Sequence, residues 1–133
     1  MPKKINKIAG WVLTILLGLL FALSAFMKLS QNEAAITQAA SMGFDANTYR
    51  LIGVIELVAL ILFLIPRTGI LGSLLLIAYM GGAIASHLQH QQSIIMAVAV
   101  QILVWIAFVL RYPTVLQQLF PAAQRLIKKQ ETV

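Results

Sequence analysis

Of the 133 residues, 60% are hydrophobic and 11% charged, against roughly 45–50% and about 25% in soluble globular domains. That composition excludes an ordinary soluble globule, and a mean hydropathy of +0.89 predicts one small helical unit embedded in a bilayer, without room for a second domain. The absence of cysteine excludes thiol and disulfide chemistry, Cys-ligated zinc and iron–sulfur clusters. The net charge of +6 does not signal nucleic acid, because the Lys and Arg residues lie beside the ends of apolar segments rather than in one patch.

Four apolar segments follow in chain order, at about 8–27, 51–65 (with the span extendable back to about 47), 69–86 and 94–110, separated by 28–50, by Pro66-Arg67-Thr68, and by 87–93. Each is close to the length that crosses a ~30 Å hydrocarbon layer. The predicted fold is all-α, a transmembrane four-helix bundle over 1–112, followed by a basic tail over 113–133. With an even number of spans, Lys3, Lys4, Lys7, Arg67, Arg111, Arg125, Lys128 and Lys129 share one side and Lys28 and Arg50 the other. The positive-inside rule then puts both termini in the cytoplasm, as expected for a multi-pass protein of the cell inner membrane. Lys3, Lys4 and Lys7 ahead of a run ending Ala22-Leu23-Ser24-Ala25 also outline a cleavable signal peptide, but the run exceeds the usual 7–15-residue apolar region and favours a retained span.

Within the first loop, Ser30-Gln31-Asn32-Glu33 matches a capping box. Ala35, Ile36, Ala39 and Ala40 follow at helical spacing up to Gly43, so a short helix is expected at the outer interface. Asp45 or Asn47 then caps the second span. In the tail, Val115, Leu116, Leu119, Phe120, Ala123, Leu126 and Ile127 recur at helical intervals beside Arg125, Lys128 and Lys129. This reads as a basic amphipathic segment on the cytoplasmic leaflet, bent or restarted at Pro121, which serves as a topology anchor.

Glu56 lies inside the second span, roughly 7–10 Å from its outer end at 1.5 Å per residue. A carboxylate at that depth is costly unless protonated, paired or facing water, so it marks either a functional site or an ion pair that locks two helices. Ser24 and Lys28 share a helix face at the outer end of the first span. His87, Ala83 and Met80 share one on the third, and Gln101 reaches a similar depth on the fourth. A candidate ligand-binding pocket therefore comprises Lys28, Glu56, His87, Gln101, Met80 and Ser24, floored by Met80 or Tyr79. His87 and His90 have a spacing that suits a shared metal, but histidines at a span end ordinarily lie in the headgroup zone and no metal is expected. Small residues such as Gly18, Gly69, Ser73 and Gly82 allow close helix packing, and Trp11, Trp105, Tyr49 and Tyr112 read as interfacial anchors.

In order along the chain stand Phe26-Met27-Lys28-Leu29, Gly43-Phe44, Gly53-Val54-Ile55-Glu56-Leu57, Ile65-Pro66-Arg67-Thr68 and Met80-Gly81-Gly82-Ala83 with His87. This run, over roughly residues 8 to 112, resembles the DoxX-like family of small four-span membrane proteins, with Ser24-Ala25 in place of the usual small residue before the lysine. The resemblance implies a four-helix bundle with Lys28, Glu56 and His87 as family-type polar positions, and no defined reaction. That family includes subunits resembling the membrane part of thiosulfate:quinone oxidoreductase.

The expected role is thus an accessory or small-ligand-binding membrane subunit, for a quinone or lipid-like molecule or beside a membrane oxidoreductase, with oligomers allowed. No Gly-rich phosphate loop is present, so redox chemistry would require an external partner. Two other readings stand beside it: a small proton-coupled exporter using Glu56, and a purely structural assembly factor. Small multidrug transporters share the length and the membrane acid, but they resemble one another in placing that acid in the first span. The charge asymmetry makes a topology prediction: a label at Gln91 reacts from outside intact cells, and reaction only after permeabilisation would invert the orientation.

Overall fold

The computed structural model describes residues 2–132, with the side chains of residues 2, 3, 123, 124 and 127 outside the description. The chain forms α1 (Pro2–Ser30), α2 (Glu33–Ser41), α3 (Ala46–Leu64), a 3-10 turn (Pro66–Thr68), α4 (Gly69–Gln89), α5 (Ile95–Arg111), α6 (Pro113–Leu119) and α7 (Pro121–Glu131). Helical segments over Lys4–Ser30, Ala46–Leu64 and Pro66–Gln89 are long and apolar enough to cross a membrane. α5, at 17 residues, is at the short limit of about 17–25 residues for a span and completes the four-helix bundle. The bundle is all-helical, as composition and periodicity predict.

α1 shows how lipid replaces water as the solvent of this fold. Thr14, Leu17, Phe21 and Ala25 are buried at steps of three and four residues, whereas Leu16, Leu19, Leu23 and Phe26 on the opposite stripe are exposed. The inward stripe is the smaller and more polar of the two, because helices in a bilayer gain from close packing and hydrogen bonding rather than from escaping water. The Thr14 and Ser73 hydroxyls donate to the Gly10 and Gly69 carbonyls, at 2.7 and 2.6 Å, so neither buried hydroxyl is left unpaired.

α1 lies between α3 and α5, and α4 lies between the same two helices on the other side, so α1 and α4 face each other across the diagonal. Phe63 of α3, Leu76 of α4 and Val104 of α5 are fully buried where these helices meet, together with Leu17 and Phe21 of α1. α3 and α4 approach backbone to backbone at Gly72, where a Cβ would collide with the Leu62 and Phe63 main chain.

The end of the bundle that holds both termini is closed by side chains bonded to orphan carbonyls. Pro66 cannot continue the α3 ladder, and the last carbonyls of a helix have no partner within it. Thr68 Oγ1 donates to Leu62 O at 2.9 Å, Arg111 Nη1 to Phe63 O at 2.8 Å, and Tyr112 Oη to Pro66 O at 2.9 Å. Arg111 is buried, with its guanidinium 4.2 Å from the Trp11 ring centroid. A Cβ on Gly69 would strike the Tyr112 hydroxyl, and one on Gly10 would lie 3.1 Å from Arg111 Cγ. Trp11, Tyr112 and Arg111 are thus a packed capping cluster, where the sequence suggests two interfacial anchors and a topology charge.

At the opposite end, the capping box is displaced by two residues. Ser30 still belongs to α1 and donates to Met27 O, while Asn32 caps α2 by accepting from Ala35 N at 2.8 Å. Asp45 caps α3, accepting from Thr48 N at 2.8 Å. Hydrogen bonds from the Thr48 side chain and backbone hold its carboxyl below the usual value. This cap therefore contributes fully above the ordinary carboxylate pKa and is lost as pH falls through the lowered one. α6 turns 106° from α5, and the tail restarts at Pro121 after Phe120. Lys3, Ala123 and Ile127, which enter the charge and tail patterns above, have side chains outside the described residues.

The capping cluster makes a prediction. Arg111→Met retains an apolar stem but strands the Phe63 carbonyl, and should lower stability in detergent by ~1–3 kcal/mol. An unchanged Tm would mean that this carbonyl is satisfied without the guanidinium.

Candidate functional site

Three local features bring charge into the bundle near α2. α1 extends to Ser30, so Lys28 is still helical and stands one turn beyond Ser24. On α3, Tyr49, Gly53 and Glu56 share a buried face. α3 can approach α1 because position 53 has no side chain: a Cβ there would lie 2.7 Å from Lys28 Cβ.

The outcome is a salt bridge of 3.0 Å between Lys28 Nζ and Glu56 Oε2, with the two side chains 12% and 1% exposed. Lys28 Nζ also donates to Ser24 Oγ at 2.6 Å, and the Tyr79 hydroxyl donates to Glu56 Oε2 at 3.0 Å. The ammonium lies 5.5 and 6.0 Å from the ring centroids of Tyr49 and Tyr79, within the range of cation–π attraction. An intramembrane carboxylate thereby gains a cation, a hydroxyl donor and two aromatic walls from three spans, which is what its desolvation requires.

This cluster borders a cavity of about 450 Å³, within the size range of small-molecule sites. All four spans and α2 contribute to it: Ser24 and Lys28 from α1, Gln38 from α2, Tyr49 and Glu56 from α3, Tyr79, Met80, Gly82 and His87 from α4, and Ala97 and Val100 from α5, with Phe21 of α1 and Met42 after α2. Most of this lining is apolar. Gly82 and Met96 at the rim are exposed, whereas Glu56, Met80 and Val100 are buried. α2 is tied to the α4–α5 loop by a hydrogen bond of 3.3 Å from Gln92 Nε2 to Ser41 O. His90 also packs against Gly43, whose φ of +76° and proximity to the imidazole leave no room for a side chain.

Of the residues singled out from the sequence, Lys28, Glu56, Ser24, Met80 and His87 line this cavity. Gln101 lies elsewhere: its Nε2 donates to Ile77 O at 3.0 Å, and its buried Oε1 has no protein partner. It is a contact between α4 and α5. His87 and His90 each commit Nδ1 to α4 itself, 2.6 and 2.9 Å from the Ala83 and Ser86 carbonyls. A carbonyl can only accept, so each Nδ1 donates. Among the described residues no cluster of three metal-ligating side chains exists.

Sequence reasoning missed Tyr49 as a wall of the site and the bond from Tyr79 to Glu56. The available signal was spacing: Tyr49 precedes Glu56 by two helical turns on one face, and Tyr79, Ala83 and His87 fall on one stripe.

The family model described as the DoxX-like family matches residues 12–109, which takes in most of each bundle helix and every cavity residue named above. No curated protein and no solved structure matches the chain significantly.

The geometry predicts that Gly53→Ala forces α1 and α3 apart at the salt bridge, with a loss of ~1–3 kcal/mol as expected for overpacking. A neutral or stabilising effect on Tm would show that Lys28 and Glu56 do not depend on this close approach.

Proposed function

This chain belongs to the DoxX-like family, and from that premise we propose that it binds a small amphipathic molecule inside the membrane, in the cavity beside Lys28, Glu56 and Tyr79. The observation that carries this reading is the cavity itself. An apolar space of about 450 Å³ that ends on a few convergent polar groups is the usual form of a small-molecule site. A quinone or lipid-like ligand would bury its apolar body against Phe21, Met80 and Val100 and direct its head group to the Lys28–Glu56 cluster. An accessory role beside a membrane oxidoreductase follows if that ligand is redox-active, since the chain carries no nucleotide or flavin motif of its own.

The excess of basic residues on the side of the termini supports placing the cavity on the outer side of the inner membrane, with the termini in the cytoplasm. The exporter reading gains less from the geometry. A coupling carboxylate must exchange a proton for a substrate cation, whereas Glu56 already has a covalently tethered cation at 3.0 Å. That arrangement favours a fixed polar anchor over an exchange site.

Gly82 provides the test. It lines the cavity, and a Cβ there meets nothing within 4 Å, so Gly82→Leu adds bulk at the cavity lining without displacing the backbone. Small molecules extracted from the wild-type protein in lipid nanodiscs and quantified by mass spectrometry should include a species, near one per chain, that falls at least about tenfold in Gly82→Leu. Identical profiles from the two proteins would remove the binding role.

A further inference from the structure

The unused hydrogen-bonding capacity of the cavity specifies what kind of molecule fits it, and the following rests on the reading that the cavity binds a ligand. Lys28 and Glu56 are the formally charged side chains among its described lining residues, and they neutralise each other at 3.0 Å. Their pair carries no net charge wherever its proton resides. A cation or anion entering this apolar space would bring a charge without a counter-ion, at a desolvation penalty that a neutral molecule avoids.

Counting donors and acceptors narrows the class further. The Lys28 ammonium has three N–H groups and uses two, on Ser24 Oγ and Glu56 Oε2. The Ser24 hydroxyl accepts from Lys28, and its own O–H has no acceptor among the described residues. On the other side of the balance, Glu56 Oε2 accepts from both Lys28 and Tyr79, while no group among the described residues donates to Oε1. His87 donates through Nδ1 to Ala83 O, so in the neutral ring Nε2 is a free acceptor. Two donors and two acceptors therefore remain among the polar groups that line this largely apolar space.

We propose that the cavity selects neutral amphiphiles whose head group both donates and accepts a hydrogen bond, a hydroxyl in the simplest case, over ions and over molecules that only accept. A hydroxyl satisfies Glu56 Oε1 or His87 with its proton and Lys28 or Ser24 with its lone pairs. A ketone, or a dione such as an oxidised quinone, leaves the carboxylate oxygen unanswered, and an unmet buried acceptor is costly; of a quinone–quinol pair the cavity would therefore retain the quinol.

The test uses the full chain in phosphatidylcholine nanodiscs and four ten-carbon probes at equal membrane mole fraction: decan-1-ol, decan-2-one, decanoate and decyltrimethylammonium. Binding to the folded state raises Tm saturably, and the same titrations on Gly82→Leu subtract effects of the probes on the bilayer. Decan-1-ol should protect the wild type and not the filled variant, with decan-2-one at least about fivefold weaker and the two ions without effect. Ser24→Ala, which with little change in volume removes both a hydroxyl donor and the acceptor that orients the Lys28 ammonium, should weaken decan-1-ol about fivefold; this second readout holds even if Gly82→Leu fails to fold. Equal or stronger protection by either ion, or by the ketone, would overturn the selectivity while leaving a binding cavity intact. If no probe separates wild type from Gly82→Leu, the selectivity and the binding role fall together.

Discussion

Glu56 is the constraint around which the α2 end of the bundle is organised. A carboxylate within a span is tolerated only with compensation, and here three other residues supply it from two neighbouring helices. Lys28 and Ser24 arrive on α1, which must stay helical to Ser30 to bring the ammonium to the right depth. Tyr79 arrives on α4. Gly53 removes a side chain that would hold α1 and α3 apart at this level. The cavity borders the same cluster, whereas Phe63, Leu76 and Val104 are fully buried where α3, α4 and α5 meet.

The two ends of the bundle solve a common problem by different means. Polar groups at membrane depth must be satisfied within the protein. At the end holding the termini the groups are backbone carbonyls released by the Pro66 turn, and Thr68, Arg111 and Tyr112 cover them in a closed cluster with Trp11. At the α2 end the groups are side chains, paired with each other but retaining spare donors and acceptors beside open space. One end reads as a clamp and the other as a receptacle, joined by a tightly packed core.

The helical bundle is legible in the sequence because lipid enforces it: apolar runs of spanning length admit few alternatives. Glu56 is legible as half of a pair because a membrane acid is rare and needs a partner near its own depth; Lys28 and His87 both qualify by depth, and the pair forms with Lys28. Depth is not rotation, however, and Gln101 illustrates the difference: it stands at a comparable level, but α5 turns it toward the Ile77 carbonyl. Tyr49 and Arg111 are obscured for another reason. An aromatic or basic residue near a span end has an ordinary interfacial role, and only tertiary packing shows that Tyr49 walls the cavity and that Gly10 and Gly69 make space for a buried guanidinium. The displaced capping box has a local cause, since α1 runs on past Lys28 and consumes Ser30.

The claim on which this account depends is that Lys28 and Glu56 are energetically coupled, and a double-mutant cycle measures it directly. Glu56→Ala and Lys28→Ala should each lower unfolding free energy in detergent by ~3–5 kcal/mol, because each leaves the other charge uncompensated, and the double mutant should lose clearly less than the sum. Strict additivity, within ~0.5 kcal/mol, would mean that the carboxylate and the ammonium do not meet in the folded protein and would contradict the site described here.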